Sequence, residues 1–536
     1  MAEWNFADVW EAVADAVPDR AAQLHSGRTS TWAGFDRRAD GVAAGLLGAG
    51  LIAQAPVAFA LYNGPEYLES VFAVLKAGLV PVNTNYRYGP DELAHIWNDS
   101  GAAAVVFHGA LTTAVAATRE RVPGVRFWVH ADDGTEPCPD WAVPYDALAA
   151  SGPARVRAPW GRSGDDRLLI YTGGTTGLPK GVVWRQDDFY RVSDVAHDPD
   201  VADLGHVRAR VAARPGPVGL PASPLMHGTG FAFAGTLLSR GGTVVTATAR
   251  RLDVVELLDL VATHRVSALC IVGDAFCAPL VEALEAEPDR WDVSCLRAVS
   301  SSGMVWSDGM KQRLLAHAPD ALLVDLLSSS EASGMGRSVT SASRRGDGRF
   351  RLGRDSIVID EHDRPVEPGS GVVGRVAVRG ILPLGYHNDP EKTAATFPVV
   401  GGERVSVPGD HAVVEADGTV TLLGRGSTSI NTGGEKVFPE EVEAALCSHP
   451  DVADALVVGV PHERFGAVVA AMVAVRGGAA GAADDLGDRL VEHVRARLAR
   501  YKAPRYVMPV DSVGRGPNGK ADYPSVRRRI DEWREG

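Results

Sequence analysis

Between residues 56 and 327, short apolar runs alternate with segments of helical period, and this alternation narrows the fold more than any other feature of the chain. PVAFAL (56–61) and TVVTAT (243–248) read as buried strands, and DVVELLDLVATH (253–264) reads as a helix leading into the strand-like VSALCIV (266–272). LRAVS (296–300), a helical stretch from Ser307 to His317 and LLVDLL (322–327) continue the series. Strands joined through helices re-enter their sheet in the same direction, so mostly parallel sheets with helices on their faces are expected. After about Asp355 the rhythm changes to the short strands SIVID, GRVAVR and HAVVEADGTVTLLG, with a hairpin turn at 417–419. Past Ile430 the pattern is α+β: helix PEEVEAALCSH (439–449), strands DALVVGV and AAMVAV, helix DLGDRLVEHVRARLAR, then strand YVMPV. GGAAGAADD (477–485) reads as a flexible loop. The expected class is α/β. A large N-terminal domain (1–425) holds parallel-type βαβ subdomains and a small β-rich subdomain ending near Gly424. A hinge (426–430) and a small α+β C-terminal domain (431–536) follow.

The length of 536 residues exceeds one ordinary core, and 45% hydrophobic with 23% charged residues is typical of a globular chain. A net charge of −13 argues against a general nucleic-acid binder, which needs a basic face, although a local basic pocket stays open. Cys138, Cys270, Cys277, Cys295 and Cys447 are odd in number and scattered, with no CxxC. A disulfide framework or zinc site is not expected, and a reducing compartment, by default the cytoplasm, fits. The N-terminus, acidic early and without a long apolar run, does not read as a signal peptide. Gly101 to Thr118 is rich in Ala and Val but interrupted, and reads as a strand plus a helix, not a membrane span.

The segment DRLLIYTGGTTGLPKG is a strand followed by a Gly/Thr-rich loop that ends in a fixed charge. Glycines let several backbone N–H groups converge on one point, and such a nest binds anions. Threonine hydroxyls add donors and Lys180 adds charge, a combination suited to polyphosphate. The Walker A pattern fails here, because Gly181 and not Ser or Thr follows Lys180. GRGPNGK (514–520) imitates its spacing, but Ala521 follows and no strand leads in. The plain alternative for 172–181 is a flexible surface loop.

Further motifs stand in order beside this loop. They are PLMHGTG (224–230), SSGMVWS (301–307), DLLSSSE (325–331), GD (409–410), GR (424–425), GGEKVFPEEVE (433–443) and PNGK (517–520). Together they resemble the adenylate-forming superfamily, which includes acyl-CoA synthetases, over residues 5 to 530. The wording of TGGTTGLPKGVVWR, SSGMVWS and INTGGEKVFPEEVEAAL looks most like actinobacterial fatty-acyl and steroid-side-chain CoA ligases. The resemblance implies activation of a carboxylic acid by ATP to acyl-AMP and pyrophosphate. Displacement of AMP by the CoA thiol follows, with a mobile C-terminal domain that rotates between the two half-reactions.

By the same resemblance, Thr172, Gly173, Gly174, Thr175, Thr176, Gly177 and Lys180 hold the β- and γ-phosphates. Glu331, preceded by Ser330, is the Mg²⁺ ligand, as a hard cation prefers carboxylate and phosphate oxygens. Ser302, Gly303 and Met304 line the adenine, and Asp325 contacts its amino group. Asp410 accepts from the ribose hydroxyls, with Arg425 assisting at ribose or phosphate. Lys520 lies between the carboxylate and the α-phosphate in the first half-reaction, drawing two anions together. His227 lies at the acyl carboxylate and gates the acyl tunnel, although a lone His in apolar surroundings is more often a packed one. Gly433, Gly434 and Lys436 line the pantetheine channel, while Glu440, Glu441 and Glu443 read as a solvated helix start. Phe231, Phe233, Gly235 and the segment 200–220 shape the acyl pocket, with HVRARVAARPGP as a loop near its entrance.

Three positions depart from the family pattern. Leu327-Ser328 replaces the usual Tyr-Gly, removing the ring that stacks on adenine and adding a side chain expected to shorten the acyl pocket. The hinge position carries Ser427 in place of Asp or Lys, as the resembled actinobacterial ligases tend to do. The implied cofactors are ATP, Mg²⁺ and CoA. The implied partner is a small hydrophobic acid, fatty, branched, aromatic or steroidal; no nucleic acid and no membrane span are expected, and a homodimer stays open. Two rivals remain. One is adenylation without CoA, passing the acid to a carrier protein or activating a non-carboxylic acid such as nitrite to diazotise an aromatic amine. The other is an inactive ATP-binding interaction protein.

Overall fold

The computed structural model describes residues 3–172, 178–193, 201–303, 306, 308–344, 346, 348–425, 430–437, 439–479, 485–514 and 523–535. Contacts divide them into two compact units. One lies within 1–86, 97–171 and 181–424, the other within 87–96, 172–180 and 425–536.

The first unit holds two large sheets. In one, the strands Pro56–Ala60, Val80–Asn83, Ala104–His108, Phe127–Ala131 and Val143–Pro144 pair in parallel, and Val80–Asn83 pairs in parallel with Arg167–Thr172. Gly385–Tyr386 closes the far edge, antiparallel to Lys180–Arg185. In the other sheet, Ala21–His25, Thr243–Thr246, Val218–Pro221, Ala268–Ile271, Ala298–Ser302 and Leu322–Ser329 run parallel in that order. Antiparallel partners cap both its edges, Arg28–Thr31 at one and Ala332–Thr340 with Arg351–Leu352 at the other. The parallel strands read as continuous apolar runs because both faces are covered; Ala104–His108, for example, is buried at every position. The predicted alternation is thus realised, and the antiparallel edges make the sheets mixed. A four-stranded sheet of Ser356–Ile359, Val373–Val378, Asp410–Val414 and Val420–Arg425 forms the small β-rich part, its last two strands joined by the expected turn at Asp417.

The N-terminal helix Phe6–Ala16 is capped by the Asn5 side chain and packs Phe6 and Trp10 into an aromatic cluster with Phe35, Phe72 and Tyr190. Beneath it lies a charged centre. The Lys76 ammonium, 0% exposed, reaches Glu11 at 2.9 Å, Asp36 at 2.7 Å and Asp40 at 2.8 Å. Arg162 bonds Glu11 at 2.8 Å from the other side. Burial pushes the Glu11 carboxyl up, but hydrogen bonding to Arg162 and the charges of Lys76 and Arg162 outweigh it and bring it down to about 2.

The second unit is built on the long antiparallel pair Val452–His462 and Gly466–Val475, flanked by Ile430–Thr432, Glu435–Val437 and, in parallel, Tyr506–Val510. Its helices Pro439–Cys447 and Leu486–Arg495 share an apolar core with this sheet.

Three expectations need correction. The helical pattern of 485–500 stops at Arg495; the chain extends at Ala499 and tightens into the turn Arg500–Lys502. That turn sets the Lys502 ammonium 2.7 Å from Glu92, both side chains 2% exposed, so an ion pair overrides local propensity. Glu443 is not solvated: its Oε1 accepts from the Val457 amide at 2.9 Å and the Tyr523 hydroxyl at 3.2 Å. HVRARVAARPGP is not an open loop, because Leu204–Ala213 is a helix capped by Asp203, with Val207 and Val211 in the core. Residues 480–484 of the expected flexible loop lie outside the described residues.

Candidate active site

The loop bearing His227 is fixed by two asparagines. The Asn83 amide, at the carboxyl end of its strand, donates to the Met226 carbonyl at 2.7 Å and the Tyr171 carbonyl at 2.9 Å, while its Oδ1 accepts from the Tyr171 amide at 2.6 Å. It therefore clips the strand leading into the Gly/Thr loop to the His227 segment. Asn63 Oδ1 accepts from the Leu225 amide at 2.8 Å. His227 is the N-cap residue of the helix Gly228–Ser239. Gly230 is required there by close approach: a Cβ would lie 2.3 Å from the Pro224 carbonyl oxygen.

Ser330 and Glu331 form the tip of the hairpin between Leu322–Ser329 and Ala332–Thr340, with Ser329 opposite Ala332. Three side chains hold this tip. Trp184 Nε1 donates to the Ser330 carbonyl at 2.9 Å, Ser406 Oγ to the Glu331 carbonyl at 2.7 Å, and the Tyr386 hydroxyl to Glu331 Oε1 at 2.7 Å. Ser330 Oγ is 3.9 Å from where a Cβ on Gly228 would stand, so the hairpin tip and the His227 segment are neighbours. One protein carboxylate, completed by phosphate oxygens and water, is the donor set that suits Mg²⁺.

A second polar centre lies at the carboxyl ends of parallel strands, where open α/β sheets bind ligands. Ser301 pairs with Asp325 and Ser302 with Leu326. Gly303 follows at φ +93°. The Ser301 hydroxyl accepts from the Gly273 amide at 2.8 Å. Asp325 is buried, with Oδ2 3.3 Å from the Lys311 ammonium. Burial pushes its carboxyl up to about 6, Lys311 pulls it down, and Asp274 and Asp308 add to the rise.

The remaining expected residues divide between the units. Asp410 opens its strand in the first unit after Gly409 at φ +101°. Thr172 ends one strand and Lys180 begins the next, both in the second unit. There too, Arg425 ends the strand Val420–Arg425, and Lys436 pairs with Asn431. Gly433 and Gly434 form the two-residue turn between Thr432 and Glu435 at φ +57° and +86°, a left-handed pair that demands glycine. Gly173, Gly174, Thr175, Thr176, Gly177, Met304, Ser427 and Lys520 lie outside the described residues.

Two apolar pockets lie along the helix Gly228–Ser239, and His227 lines one of them. That one is lined by His227, Gly228, Met226, Phe59, Val71 and Phe231 among others. The other is bounded by Phe231, Phe189, Gly235, Phe6 and Trp10. Leu168 and Phe231 line both. Phe233 packs against the core and lines neither. The Ser328 hydroxyl accepts from the Gly334 amide at 3.2 Å, and Leu327 packs onto the core of the small β-rich part.

Sequence reasoning passed over Asn83, Trp184, Lys311 and Tyr386. Asn83 carried a readable signal, a polar residue ending an apolar parallel strand. Trp184 and Tyr386 act across large sequence separations and had none, and Lys311 meets Asp325 only through the packing of its helix on the strand. Among the described residues no helix is long and apolar enough to cross a membrane.

Comparison with known proteins places these features. Residues 10–386 match the family model described as AMP-binding enzyme, and residues 441–520 match that of the AMP-binding enzyme C-terminal domain. A medium/long-chain-fatty-acid–CoA/3-oxocholest-4-en-26-oate–CoA ligase of Mycolicibacterium smegmatis is 39% identical over 97% of this chain and 95% of its own length. A 3-oxocholest-4-en-26-oate–CoA ligase of Rhodococcus rhodochrous is likewise 39% identical, over 97% and 94%. Among solved structures, an amide bond synthetase of Marinactinospora thermotolerans superposes with a TM-score of 0.80 at 25% identity, covering 98% of this chain and all of that one.

Proposed function

The chain belongs to the AMP-binding enzyme family, and from that premise we propose that it is an ATP-dependent acid–CoA ligase for a hydrophobic carboxylic acid of the fatty-acyl or steroid-side-chain class. The observation that carries the acid class is the apolar lining of the pocket at His227, with Met226, Phe59, Val71 and Phe231, beside the Glu331 hairpin. The ligases from Mycolicibacterium and Rhodococcus, similar along nearly the whole chain, support the same reading.

In this account the acid lays its tail along Phe59, Val71 and Phe231, which exclude water, and presents its carboxylate at His227. Lys180 and the Gly/Thr loop 172–177 hold the outgoing β- and γ-phosphates. Asp325, Ser302, Gly303 and Met304 seat the adenine, and Asp410 and Arg425 the ribose. Lys520 draws the carboxylate to the α-phosphate. A carboxylate oxygen attacks the α-phosphorus as its bond to pyrophosphate breaks, giving acyl-AMP. The CoA sulfur then attacks the acyl carbonyl carbon and AMP leaves, with Gly433, Gly434 and Lys436 along the pantetheine path. Mg²⁺, when bound, neutralises charge on the transferring phosphates; Glu331 is the residue to hold it, steadied by Tyr386. The five cysteines are all free thiols, in keeping with placement in the cytoplasm.

Acid-dependent exchange of labelled pyrophosphate into ATP tests the first half-reaction. Exchange with medium- or long-chain or steroidal acids is expected. No exchange with any acid, at intact folding, contradicts the account.

A further inference from the structure

Behind the strand ends of the expected adenine pocket stands a lysine that none of the steps above uses. Lys311, on the helix Asp308–His317, is 2% exposed, with Nζ 3.3 Å from Asp325 Oδ2 and 3.7 Å from Asp308 Oδ1. The Trp306 ring lies 5.5 Å away. Burying an ammonium is costly unless it is paired, and the partner that lies on the pocket side is Asp325. Oδ2 is taken by Lys311, while Oδ1 accepts no hydrogen bond from a described residue. The strand pairing places this carboxylate level with Ser301, whose hydroxyl holds the Gly273 amide at 2.8 Å. The carboxylate is thus clamped at one oxygen, with no described residue donating to the other, at the carboxyl ends of parallel strands.

Adenine presents an amino group at C6, a donor, whereas guanine and hypoxanthine present a carbonyl oxygen, an acceptor. An ionised carboxylate only accepts. It therefore bonds the first base and meets the others acceptor to acceptor. A neutral carboxyl could turn its proton to a carbonyl and lose the discrimination. We propose that Lys311 is the positioning residue that makes the site adenine-selective, holding Asp325 ionised and turned so that Oδ1 receives the C6 amino group of ATP. This rests on the reading that Asp325 meets the adenine. Burial, Asp274 and Asp308 favour the neutral carboxyl, and Lys311 is the group set against them.

The test is steady-state pyrophosphate exchange by the full-length protein with ATP and with ITP, which differ at C6, for wild type, Lys311→Met, Lys311→Gln, Lys311→Arg and Asp325→Asn. Lys311→Met is expected to raise KM for ATP about tenfold, to leave kcat within about twofold, and to shrink the ATP/ITP preference by about tenfold. Lys311→Gln, which keeps a donor without charge and serves if the Met variant fails to fold, is expected to shrink the preference as well. Lys311→Arg is expected to restore most of it. A Lys311→Met or Lys311→Gln protein that loses ATP and ITP use alike, with the preference unchanged, overturns the proposal and leaves a purely structural lysine. If Asp325→Asn also leaves the preference untouched, the placement of adenine at Asp325 falls. If Asp325→Asn shrinks it while both neutral Lys311 variants do not, that placement stands and the role of Lys311 falls.

Discussion

Removing one oxygen atom from Tyr386 probes the proposed metal-binding role of Glu331 without disturbing the hairpin that carries it. The Tyr386 hydroxyl donates to Glu331 Oε1 at 2.7 Å, whereas the backbone of the tip is held separately by Trp184 and Ser406. A hydrogen bond to a charged acceptor contributes about 1.5–3 kcal/mol. This one is only partly buried, so water recovers some of it, and about 1.5 kcal/mol is the working value, which is about tenfold in an equilibrium constant. In Tyr386→Phe the half-saturating Mg²⁺ concentration for pyrophosphate exchange is expected to rise about three- to tenfold, and activity to recover at high Mg²⁺. The midpoint of thermal unfolding is expected to fall by no more than about 3 °C, since one exposed-side hydrogen bond spread over a large domain moves it little. The assay is exchange across a Mg²⁺ titration, with calorimetry on the same samples. An unchanged Mg²⁺ dependence refutes the reasoning, as does a loss of activity that high Mg²⁺ does not restore and that follows a large loss of thermal stability.

Lys76→Met leaves three buried carboxylates facing one another, and is expected to cost about 3–5 kcal/mol in denaturant unfolding. Because the Glu11 carboxyl is held down to about 2, its stabilisation is present above the unfolded value of 4.5 and is lost as pH falls through about 2; the variant is expected to unfold at higher pH on the acid side. The Asp325 carboxyl has the opposite sign: its folded value of about 6 lies above the unfolded 3.8, so its ionisation opposes folding as pH rises through about 6, yet the proposed adenine contact needs the ionised form. KM for ATP is therefore expected to fall between pH 5 and 7 in wild type and to stay flat in Asp325→Asn, as read by exchange kinetics at each pH. Phe231→Ala joins the two apolar cavities and is expected to shift kcat/KM toward longer or bulkier acids in a chain-length series; an unchanged optimum would mean that the acid stops short of Phe231.

The parallel sheets were legible because both their faces are covered, so their strands are short unbroken apolar runs such as Ala268–Ile271 and Ala104–His108. The hairpin at Asp417 was legible because its turn chemistry is local. The end of the helix at Arg495 was not: it is set by an ion pair between residues 410 positions apart, Lys502 and Glu92. The burial of Glu443 likewise depends on Val457 and Tyr523, which no local pattern announces. At the candidate site, Glu331 and His227 stood out through their motifs. The groups that orient their segments, Tyr386, Trp184 and Asn83, are tied to them only by tertiary contact. Ser328 also makes a contact that its motif does not announce: its hydroxyl accepts a hydrogen bond from the amide of Gly334, six residues on.

The most direct test of the central claim is mass spectrometry of the purified protein incubated with ATP, Mg²⁺ and a panel of fatty, aromatic and steroid-side-chain acids, with and without CoA. The account predicts AMP, pyrophosphate and an acyl-CoA thioester of a hydrophobic acid, the thioester appearing only when CoA is present. AMP release with no thioester from any acid in the panel would contradict it and move the acceptor to a carrier protein or an amine.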